Sequence, residues 1–419
     1  MALISGLVLG VSACAAPSGN ARLDSVEASG DGTLRIGLLL DNTGDSAFLN
    51  ESELAAAELA VKQINAAGGH KGQPVELLPQ NAAADSADFD RDPGTQARSL
   101  LEAGADVVIG PSDSSHAPAA IDVLSRAKVP VISPANAATV LSGYKSGGYY
   151  FRTAAADSAQ GSVLAKLAHG GGAKRLAVLH EDSDYGNDVS GAVADAARRL
   201  GIEVLPAAGF AEGKAGSAVA TLRDAAPDAV VVVARRGAQA ALAELLDAGI
   251  SGKKLLLSDG AVRQYGSEVG AGGLDGARGV LPGTFPGTDF QNELVGIDPG
   301  LKDMTFAAET FDAVNLAAIA AAAAEDDAGA SIAASLTMVS GGVLPKAATG
   351  RERTACGTYR ECVAALNAGK TPDYDGESGV IAFDANGDIT SANYMVFSYG
   401  PDNTAKMVGK ETATRAAGT

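Results

Sequence analysis

Two polar segments, each following an apolar run, carry the residues best placed to do chemistry. Asp106-Val-Val-Ile-Gly-Pro-Ser-Asp-Ser-Ser-His116 ends in the hydroxyls of Ser114 and Ser115, and Val129-Pro-Val-Ile-Ser-Pro-Ala-Asn-Ala-Ala-Thr139 ends in Asn136 and Thr139. Hydroxyls and free N–H groups at a helix start can hold an anionic group such as a carboxylate. The same serines, Ser112 included, also serve as helix caps, and both roles can hold at once. Asp259 follows the apolar Leu255-Leu-Leu257 and suits a ligand ammonium or, alternatively, the cap of a following turn. Tyr185 can wall a pocket or pack on its own loop.

Residue patterns for catalysis are missing. The chain has no Gly-x-Ser-x-Gly elbow, His-Glu-x-x-His, phosphate loop with Lys-Ser/Thr, or Gly-x-Gly-x-x-Gly after a strand. His116 and His180 are the histidines placed to reach a cleft. Ser115 and His116 are adjacent, and neighbours on a helix do not face each other, so they make a poor nucleophile and base. Asp384-x-Asn-x-Asp388 begins like a calcium loop, but Ile389 stands where that loop needs Gly and Met395 where it needs Glu. A hairpin turn is expected there. No enzyme activity, cofactor or metal is expected, and complementary recognition of a small molecule remains.

The elements that must position these residues alternate between strand and helix. Short apolar runs without alternation, Leu34 to Leu40, residues 75–78 and the β-branched 106–110 and 129–132, read as strands buried on both faces of a parallel sheet. A helix with Leu54, Ala57, Val61 and Ile64 on one face, stopped by Gly68-Gly69, lies between the first two. The grammar repeats at residues 174–180, 202–205, 228–233 and 254–257, which predicts two similar doubly wound α/β lobes. Loops at the carboxyl ends of their strands, 41–45, 112–115 and 135–139 against 180–185, 235–236 and 258–259, would face each other across a cleft. Residues 304–324 and 331–339 read as helices, and 394–399 as a closing strand. The polar tail beyond Pro401 is expected to be mobile.

The 419 residues, 46% of them hydrophobic, suffice for two cores. A net charge of -18 argues against nucleic acid and anionic bilayers as partners, because both require basic patches. The apolar N-terminal run ends in Val11-Ser12-Ala13-Cys14, similar to a bacterial lipobox whose Cys14 is lipidated, and a solvated tether follows. No basic segment precedes it, so translation starts upstream of Met1 or the export signal is incomplete. In an exported chain the nearby Cys356 and Cys362 suit a disulfide.

Several strings together resemble the type I periplasmic solute-binding proteins of ABC transporters, the Leu/Ile/Val-binding branch in particular. They are Ala57-Glu-Leu-Ala-Val-Lys-Gln-Ile-Asn-Ala-Ala-Gly-Gly69, Val108-Ile-Gly-Pro111, Pro130-Val-Ile-Ser-Pro134, Phe151-Arg-Thr153, Tyr185-Gly186 and Tyr374-Asp-Gly-Glu-Ser-Gly379 with Phe383-Asp-x-x-Gly387. The resemblance implies two lobes joined by a three-crossing hinge and divided as follows: signal and tether 1–33, lobe 1 at 34–154 and 285–388, lobe 2 at 155–284 and 389–408, and a flexible tail at 409–419. The hinge would cross near Arg152-Thr153, 284 and 388.

The resemblance also implies a monomeric, lipid-anchored protein on the outer face of the bacterial cytoplasmic membrane. It would hand an amino acid or related compound to permease and ATPase subunits. A ligand sensor working with a separate membrane partner is the alternative. Within the site, Ser114 or Ser115 resembles the serine that holds the α-carboxylate, Ala135 the donor of backbone groups, Tyr185 the aromatic lid and Asp259 the partner of the α-ammonium. Ala137 stands where Thr is usual, with Asn136 or Thr139 as substitutes. Leu49 and Arg235 replace frequent aromatics. Arg235 suggests contact with a second, acidic group of the ligand, or else pairs with Glu181 or Asp182.

Overall fold

The computed structural model describes residues 20–23, 26–41, 46–78, 92–342, 350 and 352–414. Cys14 lies outside these residues, as do positions 42–45 of the first cleft loop. The first sheet contains β1 (Arg35–Leu38), β2 (Glu76–Leu77), β3 (Val107–Ile109), β4 (Val131–Ser133) and β5 (Tyr150–Arg152), all parallel, in the order β2-β1-β3-β4-β5. Helices α1 (Asn50–Ala66), α2 (Pro93–Glu102) and α3 (Ala117–Arg126) connect them. Alternate side chains of each strand point to opposite faces. Val107 and Ile109 therefore join α1 in one core, and Val108 joins α2 and α3 in another.

The second sheet repeats this arrangement. After α4 (Asp157–Gly170) come β6 (Arg175–Glu181), α5 (Asp184–Arg199), β7 (Glu203–Val204), β8 (Ala208–Phe210), α6 (Gly216–Ala225), β9 (Ala229–Val233), α7 (Ala238–Asp247), β10 (Leu255–Leu257) and β11 (Arg278–Pro282). The order β7-β6-β9-β10-β11 has the same connectivity as the first sheet, with β8 also paired to β6. The chain then returns to the first lobe through α8 (Thr288–Ile297), α9 (Ala307–Ala324), α10 (Gly329–Val339), β12 (Arg353–Cys356), α11 (Tyr359–Asn367), β13 (Thr371–Gly376) and β14 (Gly379–Val380). It ends in β15 (Ser391–Tyr399) and β16 (Ala405–Thr414), antiparallel strands added to the second sheet. The result is two doubly wound lobes joined by three crossings. Helix α9 is long and apolar enough to cross a membrane, but it is buried between α1 and α10 as the spine of the first lobe.

The internal repeat extends to individual carboxylates. Before β3, Asp106 accepts the N–H of Arg35, and before β9, Asp228 accepts those of Lys174 and Arg175, so each ties two strand starts together. After β1, Asp41 accepts the N–H groups of Ser112 and Asp113, and after β6, Glu181 accepts those of Arg235 and Arg236. One acid per lobe thus fixes the loop beyond the next central strand.

Two segments differ from expectation. Arg22, expected in a flexible tether, is buried against the first lobe: its guanidinium donates to the carbonyls of Tyr150, Ala385 and Asn386 and lies 4.7 Å from the Phe151 ring centroid. Ser29 and Gly30 then donate backbone N–H groups to Asp326, and Asp31 and Gly32 donate theirs to Asp327. The tail expected to be mobile beyond Pro401 is instead β16, whose backbone pairing with β15 continues to Thr414. A polar edge strand lacks the apolar run that marks a buried one. Cys356 and Cys362 form a disulfide with Cα atoms 5.3 Å apart.

Glu53 on α1 is buried and accepts the Ser112 hydroxyl hydrogen bond. Burial, reinforced by Asp41, pushes its pKa up to about 8 from 4.5, so the folded protein holds this proton through a range in which the unfolded chain has released it. Stability should therefore fall as pH rises from about 5 to 8, by on the order of 4 kcal/mol from this group. Glu309 and Asp106, each raised by burial to about 7, act in the same direction. Urea unfolding at pH 5 and pH 8 is expected to show this loss, and Glu53→Gln, which keeps an acceptor for Ser112, to remove a large part of it. An equal pH dependence in the variant would refute the assignment.

Candidate functional site

The loops beyond β1, β3 and β4 lie at one end of the first sheet, held by two buried hubs. Asp41 takes Ser112 and Asp113 through its Oδ2 and the His116 Nδ1 through its Oδ1 at 2.5 Å. His116 is thereby engaged, and its pKa is raised by that bond. Ser115 is exposed and gives both its N–H and its hydroxyl to Asp113. Ser114 points the other way: its Oγ accepts the N–H groups of Ala137 at 3.1 Å and Ala138 at 3.2 Å. With both lone pairs occupied, its hydroxyl proton remains to be donated, which suits a carboxylate acceptor.

The second hub is Arg152, at the end of β5, which is completely buried. Its guanidinium donates to Asp388 at 2.7 Å, the Asn136 carbonyl at 3.2 Å, the Ala138 carbonyl at 2.9 Å and Ser142 Oγ at 2.7 Å. Asn136 gives its side-chain amide N–H to the Ser112 carbonyl and receives the Tyr150 hydroxyl, so it shapes the loop from within. The N–H groups of Ala135 and Asn136 turn inward to Ser133 Oγ. Leu49 is buried in the same lobe.

Tyr185, Arg235 and Asp259 come together on the second lobe. The Tyr185 hydroxyl donates to Asp259 and is 2.8 Å from Ser258 Oγ, and the Arg235 guanidinium carbon lies 3.9 Å from the Tyr185 ring centroid. One ring face is therefore covered by a cation. Asp259 opens a short 3-10 turn, and its side chain does not cap it: Oδ1 accepts Gln160 Nε2 at 2.9 Å as well as the tyrosine. Burial works against the charge of Arg235 and is outweighed by Asp259, Tyr185, Asp157 and Glu181, so its pKa is raised. The expected pairing with Glu181 runs through the Arg235 backbone N–H. His180 is turned toward β8, with Nδ1 3.1 Å from the Glu181 carbonyl oxygen.

The lobes meet at these loops. Asp157, the first residue of α4, donates its N–H to the Ala137 carbonyl at 2.8 Å, and Thr139 donates its N–H to Asp188 on α5 at 3.0 Å. Asp157, Gln160 and Asp188 escaped the sequence reading. The available signal was Asp157 itself, an acid at a helix start five residues after Arg152, the end of β5. Among the described residues no group of three or more His, Cys, Asp or Glu is arranged to hold a metal ion.

Two doubly wound lobes joined by three crossings, with the strand-end loops of one opposed to those of the other, define a type I periplasmic binding fold. The sequence profile of the family described as periplasmic binding protein matches residues 33–361, and the chain belongs to that family. It is 30% identical over 209 residues to Leu/Ile/Val-binding protein homolog 8 of Brucella abortus, a match covering 47% of this chain and 51% of that protein. It is 30% identical over 184 residues to the leucine-, isoleucine-, valine-, threonine- and alanine-binding protein of Pseudomonas aeruginosa, covering 43% and 48%. The chain thus matches about half the length of these curated relatives.

Solved structures share the fold. A putative branched-chain amino acid ABC transporter protein from Rhodospirillum rubrum superposes with a TM-score of 0.66 at 20% identity, covering 90% of this chain and 100% of that one. A branched-chain amino acid transporter substrate-binding protein from Streptococcus pneumoniae, in complex with isoleucine, gives 0.60 at 21%, covering 91% and 100%. A solute-binding protein from R. palustris in complex with benzoate gives 0.62 at 18%, covering 92% and 99%.

Removing the Arg152 guanidinium takes the 2.7 Å partner from the buried Asp388, the donor from the Asn136 carbonyl, and one of two donors from the Ala138 carbonyl, which keeps the Leu141 N–H. Arg152→Ala is expected to cost about 3–5 kcal/mol, read from denaturant unfolding. Arg152→Lys should recover only part of this, because an ammonium cannot reproduce the planar fork. Full stability of Arg152→Ala would show that the hub is dispensable.

Proposed function

We propose that this protein is an extracytoplasmic solute-binding protein of an ABC importer, which holds an amino acid or related small polar compound between its lobes and delivers it to a membrane permease. The observation that carries this reading is the complementarity of the opposed loops. Ser114 keeps a hydroxyl proton for an acceptor, and Asp259 keeps Oδ2 for a donor. A molecule with a carboxylate and an ammonium satisfies both. Ala135 and Ala137 shape the floor, with Asn136 beneath them, and Tyr185 and Arg235 form the opposite wall. Membership of a family of solute-binding proteins, and relatives named for Leu, Ile and Val, support the same reading.

The mechanism is differential binding. A ligand that touches both lobes favours the closed arrangement by its extra contacts there, and no covalent step is required. Anchoring through Cys14 would keep the protein beside its permease. A diacylated cysteine supplies more than the marginal binding of one chain. Cys14→Ser is expected to move the protein from the membrane fraction to the soluble fraction.

Calorimetric titration of the lipid-free protein is the direct test, since a chain without Trp offers no indole signal for closure. The panel is amino acids, small amides, dicarboxylates and benzoate. Saturable binding of an ammonium-bearing compound is expected, weakened at least about tenfold by Asp259→Ala and less by Ser114→Ala. Absence of heat across the panel from folded, ligand-free protein, or turnover of a bound compound, would defeat the proposal.

A further inference from the structure

Asp157 presents a carboxylate that the reading above leaves unused. The residue is 4% exposed, and among the described residues no hydrogen bond or ion pair reaches its side chain. Its backbone N–H is fixed on the Ala137 carbonyl, so it sits where the cleft loop of the first lobe meets α4. The charged groups that act on it are Asp259, Arg235, Asp188 and Arg152. It therefore shares the space of the residue assigned to the ligand ammonium.

The cations nearby are committed elsewhere. Arg152 is spent on Asp388, Ser142 and two carbonyls, and Arg235 lies flat on Tyr185. Across the same junction, Thr139 Oγ1 is buried without a hydrogen-bond partner, while the Thr139 N–H is taken by Asp188. With Asp157, Asp188 and Asp259 all ionised, the guanidinium of Arg235 would face three carboxylates and leave two negative charges over. A buried carboxylate beside another is costly until a cation joins it, and burial together with Asp259 drives the Asp157 pKa well above the usual carboxylate range. An acidic second group on the ligand, the expectation raised by Arg235, would deepen this imbalance.

We propose that Asp157 is a ligand-binding residue and that, together with Asp259, it selects a small molecule bearing two cationic nitrogen groups, such as a basic amino acid or a short diamine. Asp259 takes one group, and Asp157 with Thr139 Oγ1 takes the other. The inference rests on the solute-binding reading and specifies its ligand class.

The test titrates the full lipid-free protein with lysine, ornithine and 1,4-diaminobutane, and in parallel with leucine and glutamate, at one ionic strength. A diamino compound should bind at least about tenfold more tightly than leucine, and Asp157→Asn should weaken the diamino compound by at least about tenfold while leaving leucine binding no weaker. Leucine or glutamate binding as tightly as every diamino compound would overturn the inference and leave the solute-binding reading intact. Unchanged diamino affinity in a folded Asp157→Asn protein would also overturn it. Silence from all five compounds would overturn the inference, and the solute-binding reading falls only if the wider panel above is silent as well. Should the variant fail to fold, the wild-type ranking decides alone.

Discussion

The geometry of the cleft depends on the buried guanidinium of Arg152. It ends β5, where the chain first leaves the first lobe, and its bond to Asp388 reaches the third crossing. The same group gathers the carbonyls of Asn136 and Ala138, so the loop that faces the second lobe is fastened to the hinge itself. Burying a charge is tolerable only where every donor finds an acceptor. Here the acceptors lie on two stretches of chain far apart in sequence, 136–142 and Asp388, which makes the cost of burial a constraint on their relative positions. Arg22 repeats the device from outside, joining the Tyr150 carbonyl of β5 to the 385–386 turn.

The two lobes solve one structural problem alike and one chemical problem differently. Asp41 and Glu181 each collect two consecutive N–H groups from the loop beyond the next central strand, and these loops would otherwise carry orphaned donors in a half-buried place. Beyond this shared scaffold the surfaces diverge. The first lobe offers hydroxyls and backbone groups around Ser114, and the second offers carboxylates, a tyrosine and a stacked arginine. An internal repeat of topology thus supports a cleft whose walls are chemically unlike.

Much of the fold was legible because parallel strands buried on both faces have to be continuous apolar runs. Val107–Ile109 and Ala229–Val233 are such runs, and each begins within a residue of its expected position. What escaped lacked that signature. β5 is Tyr-Phe-Arg, whose Arg152 is buried by partners far away in sequence, and β16 is a polar edge strand held by backbone pairing. In the site, the grouping of Tyr185, Arg235 and Asp259 was readable from strand-end position. The stacking of Arg235 on Tyr185 was not, since it depends on side-chain direction. Asp157 follows Ala154-Ala-Ala156 and reads as an ordinary first-turn acid until the loop of the other lobe is seen to cover it.

That covering bears on how a ligand would work the hinge. The Asp157 N–H bond to Ala137 and the Thr139 N–H bond to Asp188 are both made between the lobes, so closing them removes Asp157 from water. In the proposed reading, closure without ligand carries the cost of a desolvated carboxylate near Asp259, and closure around a cationic ligand does not. A shift from 1:99 to 99:1 needs a difference of about 5.5 kcal/mol between the two arrangements. Hydrogen bonds to charged groups contribute about 1.5–3 kcal/mol each. Two or three of them, available only when both walls reach the ligand, contribute about 3–9 kcal/mol, so direct contact across the lobes together with relief of this buried repulsion would give a ligand control of the closed state.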